Sequence, residues 1–254
     1  MMGKSSRVMN QGVLHRRGGG GGDGGGSAAR GWEGDDGDVM LPPRTCEAEV
    51  LGIIGYGGVG KKVEMLAKAL GMKVLISGRK GGGDDTAAAA TTTTTSPPPH
   101  TPGQQPERTP FTTLLRTASV VVLCCPRSPE TINLISAPEL ALMPPHALLI
   151  NVSRGGVVDE PALLEALQAK RIAGAATDVF LTEPATPDNS VLLLGEDKTR
   201  DLNLLTTPHV AWYAEETIKA YNRALQDNLR GWLGKEGRPK YPVVWYGKDS
   251  AEQE

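Results

Sequence analysis

Nothing in this sequence is abundant enough to announce a membrane, nucleic-acid or disulfide-built protein. No stretch approaches the roughly 18 to 20 consecutive apolar residues that a transmembrane helix needs, so no membrane partner is expected. There are only three cysteines, Cys46, Cys124 and Cys125, too few and too poorly spaced for a disulfide framework or a zinc site. That scarcity fits a reducing compartment, and Cys124 and Cys125 stand in an apolar run that reads as core. Charge of one sign is also lacking. The 27 basic and 29 acidic residues leave a formal net charge of −2, with the cations spread along the chain, so no nucleic-acid footprint is visible.

What is plentiful is low-complexity sequence. Positions 18 to 26 read GGGGGDGGG, and positions 81 to 110 carry runs of Ala, Thr and Pro; neither stretch holds enough apolar surface to fold. The organisation expected is a disordered Gly-rich tail at 1–40, one α/β domain at 41–214 with the 81–110 insert looping out of it, and a helix and tail at 215–254. The first 17 residues contain Lys4, Arg7, Arg16 and Arg17 and no acid. A disordered basic tail on a cytoplasmic protein is the default, and a mitochondrial leader the alternative.

From Glu47 onward, short apolar runs alternate with helical patterns, the signature of βαβ units and a parallel sheet. Strands are predicted at Val50–Ile54, Lys73–Ile76, Val120–Cys124, Ala147–Val152, Ile172–Val179 and Asn203–Leu205. Val63, Leu66, Ala67 and Leu70 give one helix an apolar face that Gly71 ends. A short helix is read at Thr113–Thr117, and another is opened by Asp159, Glu160 and an N1 Pro161. A last amphipathic helix runs from about Glu215 to Trp232, with Ile218, Tyr221, Leu225, Leu229 and Trp232 on one side. The fold class is therefore a Rossmann-type, doubly wound parallel sheet with helices on both faces.

Gly55-Tyr56-Gly57-Gly58-Val59-Gly60 fits G-x-G-x-x-G directly after a strand and before a helix. Such a loop suits a pyrophosphate, because glycines allow close backbone approach and the helix start offers free N–H groups. An acid about 20 residues on would select NAD through the ribose hydroxyls. That position reads Ser77-Gly78-Arg79-Lys80, with two cations and no carboxylate. NADP is therefore the preferred cofactor over NAD, with Arg79 as the main contact to a 2′-phosphate and Lys80 beside it. Solvated surface charge is the bland alternative for both.

Arg154, Asp178, Glu183 and His209 fall at the carboxyl ends of strands, where ligands bind in open α/β sheets. Hydride transfer to a 2-keto acid needs a cation for carboxylate and carbonyl, a proton donor active near neutral pH, and a group to tune it. Arg154 suits the first with its planar fork, His209 the second, and Glu183 the third. His15, His100 and His146 have no such company and read as surface or tail. Trp212 is equally a pocket wall or core.

In order along the chain, GYGGVG, LCCPRSPETINLI, INVSRGGVVDE, DVFLTEP and TPHVAW resemble the D-isomer-specific 2-hydroxyacid dehydrogenase family over roughly Leu51 to Gly231. The resemblance implies an NAD(P)-dependent oxidoreductase of a small 2-keto or 2-hydroxy acid, such as glyoxylate, hydroxypyruvate or glycerate. By it, Arg154 is the substrate-binding catalytic arginine, His209 the general acid/base and Glu183 its paired acid. Asp178 resembles the carboxylate that holds the nicotinamide amide. Gly58 and Val59 match loop positions against the pyrophosphate, and Pro126, Val152 and Ser153 resemble positions along the nicotinamide half of the cofactor. Family members begin with a separate substrate domain, whereas Gly31-Trp32 resembles only the linker into the cofactor domain. The expectation is a cleft with one wall and a terminal helix that seeks cover in a homodimer. A dehydrogenase, a non-enzymatic dinucleotide sensor like the C-terminal-binding-protein corepressors, and an inactive remnant all remain open.

Overall fold

The computed structural model describes residues 32–33, 39–40, 44–81, 106–194, 199, 202–234 and 239–241. The basic first 17 residues, the glycine tract, His15, His100 and most of the 81–110 insert lie outside the described residues. Within 1–40, expected as an unstructured tail, β1 (Trp32–Glu33) and β2 (Val39–Met40) pair antiparallel.

Six parallel strands follow from the six apolar runs: β3 (Val50–Ile54), β4 (Lys73–Ile76), β5 (Val120–Leu123), β6 (Leu148–Asn151), β7 (Gly174–Thr177) and β8 (Leu204–Thr206). Their order in the sheet is β4-β3-β5-β6-β7-β8. The chain leaves β3 for β4 on one side and then returns to pair β5 with the other side, in register Leu51↔Val74 and Leu51↔Val120. This reversal is a topological switch point, and the crevice beyond the carboxyl ends of β3 and β5 is where such sheets hold ligands.

The end of the insert segment is not loop. Thr109 forms a parallel bridge to Ser77 on the outer edge of β4, with Thr109 N donating to Ile76 O at 2.8 Å and Gly78 N to Thr109 O at 2.7 Å. The 81–110 boundary is thus corrected at its carboxyl end, because a short backbone ladder there satisfies the edge of β4.

Helices α1 (Gly58–Ala69), α2 (Phe111–Thr117), α3 (Ala137–Leu142) and α4 (Glu160–Gln168) connect the strands. Leu51, Ile53 and Val122 pack with Ala67 of α1, while Ile54, Val121, Leu123 and Leu149 pack with Phe111, Leu114, Leu115 and Leu140. Alternate residues of one strand therefore feed different cores, as a sheet covered on both faces requires. Of the expected stripe, helix α1 buries Ala67 and packs Val63 partly buried against the same core, while Leu66 and Leu70 stay exposed and Gly60 and Glu64 are buried in their place. The phase is set by Gly60, where a Cβ would overlap Gly55 O, so that backbone seats directly against the loop. Gly71, at φ +79°, ends the helix in a Schellman motif: Met72 N donates to Ala67 O and Gly71 N to Lys68 O, both at 3.0 Å. In α4 the N-cap is Asp159 and Glu160 takes the first helical position, which moves Pro161 from the predicted N1 to the second.

Contacts divide the chain into units 1–208 and 209–254, a boundary earlier than the predicted 214/215. The turn before α5 (Glu215–Leu233) belongs with that helix, since Tyr213 N donates to Val210 O at 2.9 Å and Ile218 N to Ala214 O at 3.0 Å. Tyr221, Leu225, Leu229 and Trp232 on α5 are exposed. Among the described residues, no helix is long and apolar enough to cross a membrane.

Candidate dinucleotide and substrate site

The glycine loop shows three different uses of the same residue. Gly55 has φ +96°, and a Cβ on it would lie 2.6 Å from Cys124 C and Cys125 Cα, so the tight turn rests on the end of β5. Gly60 lets α1 approach that turn. Gly57 and Gly58 instead have nothing within 4 Å of where a Cβ would stand, and Val59 beside them is 57% exposed. Packing explains Gly55 and Gly60 but not Gly57 and Gly58, whose open backbone at the start of α1 fits a pyrophosphate. Cys124 and Cys125 back the loop as inert core: burial, then the neighbouring Cys125, pushes the Cys124 thiol up to about 11.

Beyond β4, Arg79 is exposed, and its charge helps hold the Glu130 carboxyl below its usual range after the larger effect of the Ser128 hydroxyl. Lys80 is differently placed. Its Nζ lies 2.8 Å from Glu139 Oε1 and donates to Leu134 O at 3.4 Å, so it ties the strand end to α3. Glu139 also accepts from Ser136 N at 3.0 Å and Ser136 Oγ at 2.8 Å, closing the capping box of α3.

At the end of β6, a buried Asn151 folds the next turn. Its Oδ1 accepts from Ser153 N at 3.1 Å and Ser153 Oγ at 2.8 Å, and its Nδ2 donates to Arg154 O at 3.2 Å. This leaves Val152 and Arg154 at the surface, with Arg154 Nη1 donating to Ser153 O at 2.7 Å. A Cβ on Gly155 would overlap Phe180 O, so the arginine loop can meet the segment after β7 only with glycine there. In that segment Asp178 is buried and its Oδ1 accepts from Thr207 Oγ1 at 2.6 Å, while Glu183 Oε1 accepts from Phe180 N at 3.0 Å. Glu160, 8% exposed, braces the same segment from α4: Oε1 accepts from Leu181 N at 2.7 Å and Oε2 from Ser190 Oγ at 2.6 Å. Pro126 is exposed, and its carbonyl accepts from Thr131 Oγ1 at 2.8 Å.

One unit thus carries the glycine loop, Arg154, Asp178 and Glu183, while His209 opens the other. His209 is half-buried at φ +55°, and its carbonyl accepts from Trp212 Nε1 at 2.8 Å. Trp212 is 51% exposed and meets Tyr213 edge-on at 5.5 Å, so it is not core. Asn151, Gly155 and Thr207 were not singled out from the sequence, and Glu160 was read only as the acid of a helix start. Their only signals were a polar residue closing an apolar strand, an acid opening a helix, a glycine doublet and a hydroxyl beside a strand end.

Residues 28–211 match the family described as D-isomer specific 2-hydroxyacid dehydrogenase, NAD binding domain. The chain belongs to this family. A glycerate dehydrogenase of Methylorubrum extorquens is 37% identical over 193 residues, covering 76% of this chain and 52% of that protein. A D-3-phosphoglycerate dehydrogenase of Escherichia coli is 40% identical over 169 residues, covering 65% and 36%. Among solved structures, the NAD-complexed D-isomer specific 2-hydroxyacid dehydrogenase of Lactobacillus delbrueckii ssp. bulgaricus aligns with TM-score 0.59 and 30% identity, over 81% of this chain and 60% of that one. The chain spans about half the length of the first two curated relatives it matches, 52% and 53%. The residues of this chain that match include the parallel sheet and its glycine loop, and the family description names this domain for NAD binding.

Proposed function

We propose that the chain is the cofactor-binding part of an NAD(P)-dependent oxidoreductase acting on a small 2-keto or 2-hydroxy acid of the glyoxylate, hydroxypyruvate or glycerate kind, with NADP(H) preferred. The observation that carries the reading is the open backbone at Gly57 and Gly58, at the switch point of the sheet, beside a turn that packing alone explains. When bound there, the nicotinamide supplies or accepts the hydride. Arg154 holds the substrate carboxylate and polarises its keto oxygen, since a guanidinium fork bonds two oxygens at once. His209 gives that oxygen a proton as the keto carbon gains a hydride, leaving the hydroxy acid and a neutral imidazole; oxidation runs the same transfers backwards. Asp178 orients the nicotinamide amide, and Glu183 is assigned as the acid of the histidine pair from the family resemblance alone. Arg79, with no carboxylate at the end of β4, favours the 2′-phosphate of NADP(H).

The test is NADPH oxidation by the full chain with glyoxylate and with hydroxypyruvate, alongside His209→Ala. A positioned proton donor contributes about 10²- to 10⁴-fold, so the substitution should remove turnover by that factor while NADPH still binds. NADPH binding with no turnover in the wild type would overturn turnover by this chain alone, leaving a cofactor domain without its substrate half or a dinucleotide-sensing module.

A further inference from the structure

Sequence alone offered Arg79 and Lys80 to a 2′-phosphate, and Lys80 is held by Glu139. Another cation stands at the same corner of the sheet. Arg108 immediately precedes the Thr109 bridge on the outer edge of β4. Its Cζ lies 5.3 Å from the centroid of the Tyr56 ring, and its Nη1 donates to Ser77 O at 3.2 Å. Tyr56 is the second residue of the glycine loop, and Ser77 directly follows β4. The guanidinium therefore bridges the loop that fits the pyrophosphate and the strand end where a ribose 2′ substituent lies in this fold. Lys61, in the first turn of α1, has its Nζ 5.9 Å from the same ring.

Neither the Tyr56 ring nor the Ser77 carbonyl carries a formal charge, so neither contact neutralises Arg108. Glu64, a carboxylate of the same cluster, accepts from the Tyr56 hydroxyl and pairs with Lys68 at 2.8 Å. Burial first, then the bond to Glu64 and its charge, push the Tyr56 phenol up to about 12, although Arg108 pulls the other way. The phenol stays neutral and adds no anion to compete with a phosphate. An arginine suits the corner better than a lysine, because the planar group can stack on the ring and still present N–H groups to phosphate oxygens.

We propose that Arg108, stacked on Tyr56 and anchored on the Ser77 carbonyl, receives the 2′-phosphate of NADP(H), with Lys61 adding to the positive field. This rests on the NADP(H) reading above, and the experiment separates the two. Adenosine 2′,5′-bisphosphate and 5′-AMP, which differ by that one phosphate, are titrated calorimetrically into the full-length wild type, Arg108→Gln, Arg108→Lys and Arg79→Asp. Arg108→Gln should weaken the bisphosphate about tenfold or more, the scale of a lost charge-assisted bond, and leave 5′-AMP within about twofold. Arg108→Lys should recover only part of the loss, because a lysine keeps the charge but not the fork. If the wild type prefers the bisphosphate and Arg108→Gln keeps the preference, or weakens both ligands equally, the Arg108 assignment falls alone. If the wild type shows no preference, the NADP(H) reading and this assignment fall together.

Discussion

Removing the Glu160 carboxylate should loosen the segment that carries Asp178 and Glu183. Glu160 is 8% exposed, and its two oxygens accept from Leu181 N at 2.7 Å and Ser190 Oγ at 2.6 Å. Hydrogen bonds to a charged group are worth about 1.5 to 3 kcal/mol each, and Ser190, 4% exposed, would be left as a buried donor without its acceptor. Solvent screening is slight at this depth. Glu160→Ala should therefore cost about 3 to 5 kcal/mol, a large share of the 5 to 15 kcal/mol typical of a domain. Glu160→Gln retains an acceptor for Leu181 N and a donor for Ser190 Oγ, and should cost about 1 to 2 kcal/mol. Urea denaturation measures both. Hydrogen exchange adds the local readout: the Leu181 amide should lose protection in the Ala variant and keep most of it in the Gln variant. An Ala variant within about 0.5 kcal/mol of wild type, with the Leu181 amide equally protected, would refute the reasoning.

Gly155→Ala should be destabilising out of proportion to one methyl, by about 1 to 3 kcal/mol or more, because its Cβ meets the Phe180 carbonyl, which is backbone and yields little; a urea midpoint unchanged from wild type would contradict that. Acid should selectively weaken the Lys80–Glu139 tie. Burial pushes the Glu139 carboxyl up, but Lys80 and the Ser136 hydroxyl and amide outweigh it and leave it below the usual range. A folded-state value below the unfolded one of about 4.3 gives stability that is full above that pH and lost as pH falls through the folded value. The stability gap between wild type and Glu139→Gln should then be widest near neutrality and shrink below about pH 4, and a gap constant with pH would contradict the ion pair.

Much of the fold was legible because period and punctuation agree. Six β-rich runs each became a strand, and Gly71 ended α1 as its position implied. The phase of α1 was only half legible: Val63 and Ala67 face the core as read, but hydropathy also favours Leu66 and Leu70, while the close seat of Gly60 on Gly55 fixes which side faces the sheet. Helix α3 escaped notice because six residues are too few to display a period, although Ser136 and Glu139 spell its capping box. At the site, chemistry-bearing residue types could be read in order, but their supports could not. Asn151, Glu160 and Thr207 act through partners that only the folded chain brings near, and Arg108 lies just past a low-complexity stretch that draws attention away from it. The ion pair of Lys80 was illegible for the same reason: its partner Glu139 is remote in sequence.

The central claim is that the open glycine backbone at the switch point holds a dinucleotide. Gly57 is extended, at φ −90° and ψ −155°, outside the left-handed region that demands glycine, and its added Cβ would meet nothing within 4 Å. The direct measurement is a fluorescence titration of NADPH into wild type and Gly57→Ala, with the urea midpoint of each recorded. The account predicts saturable binding by the wild type, at least about tenfold weaker in the variant, with stabilities matching within about 0.5 kcal/mol. A folded wild type that does not bind NADPH, or a variant that binds it equally well, would contradict the account.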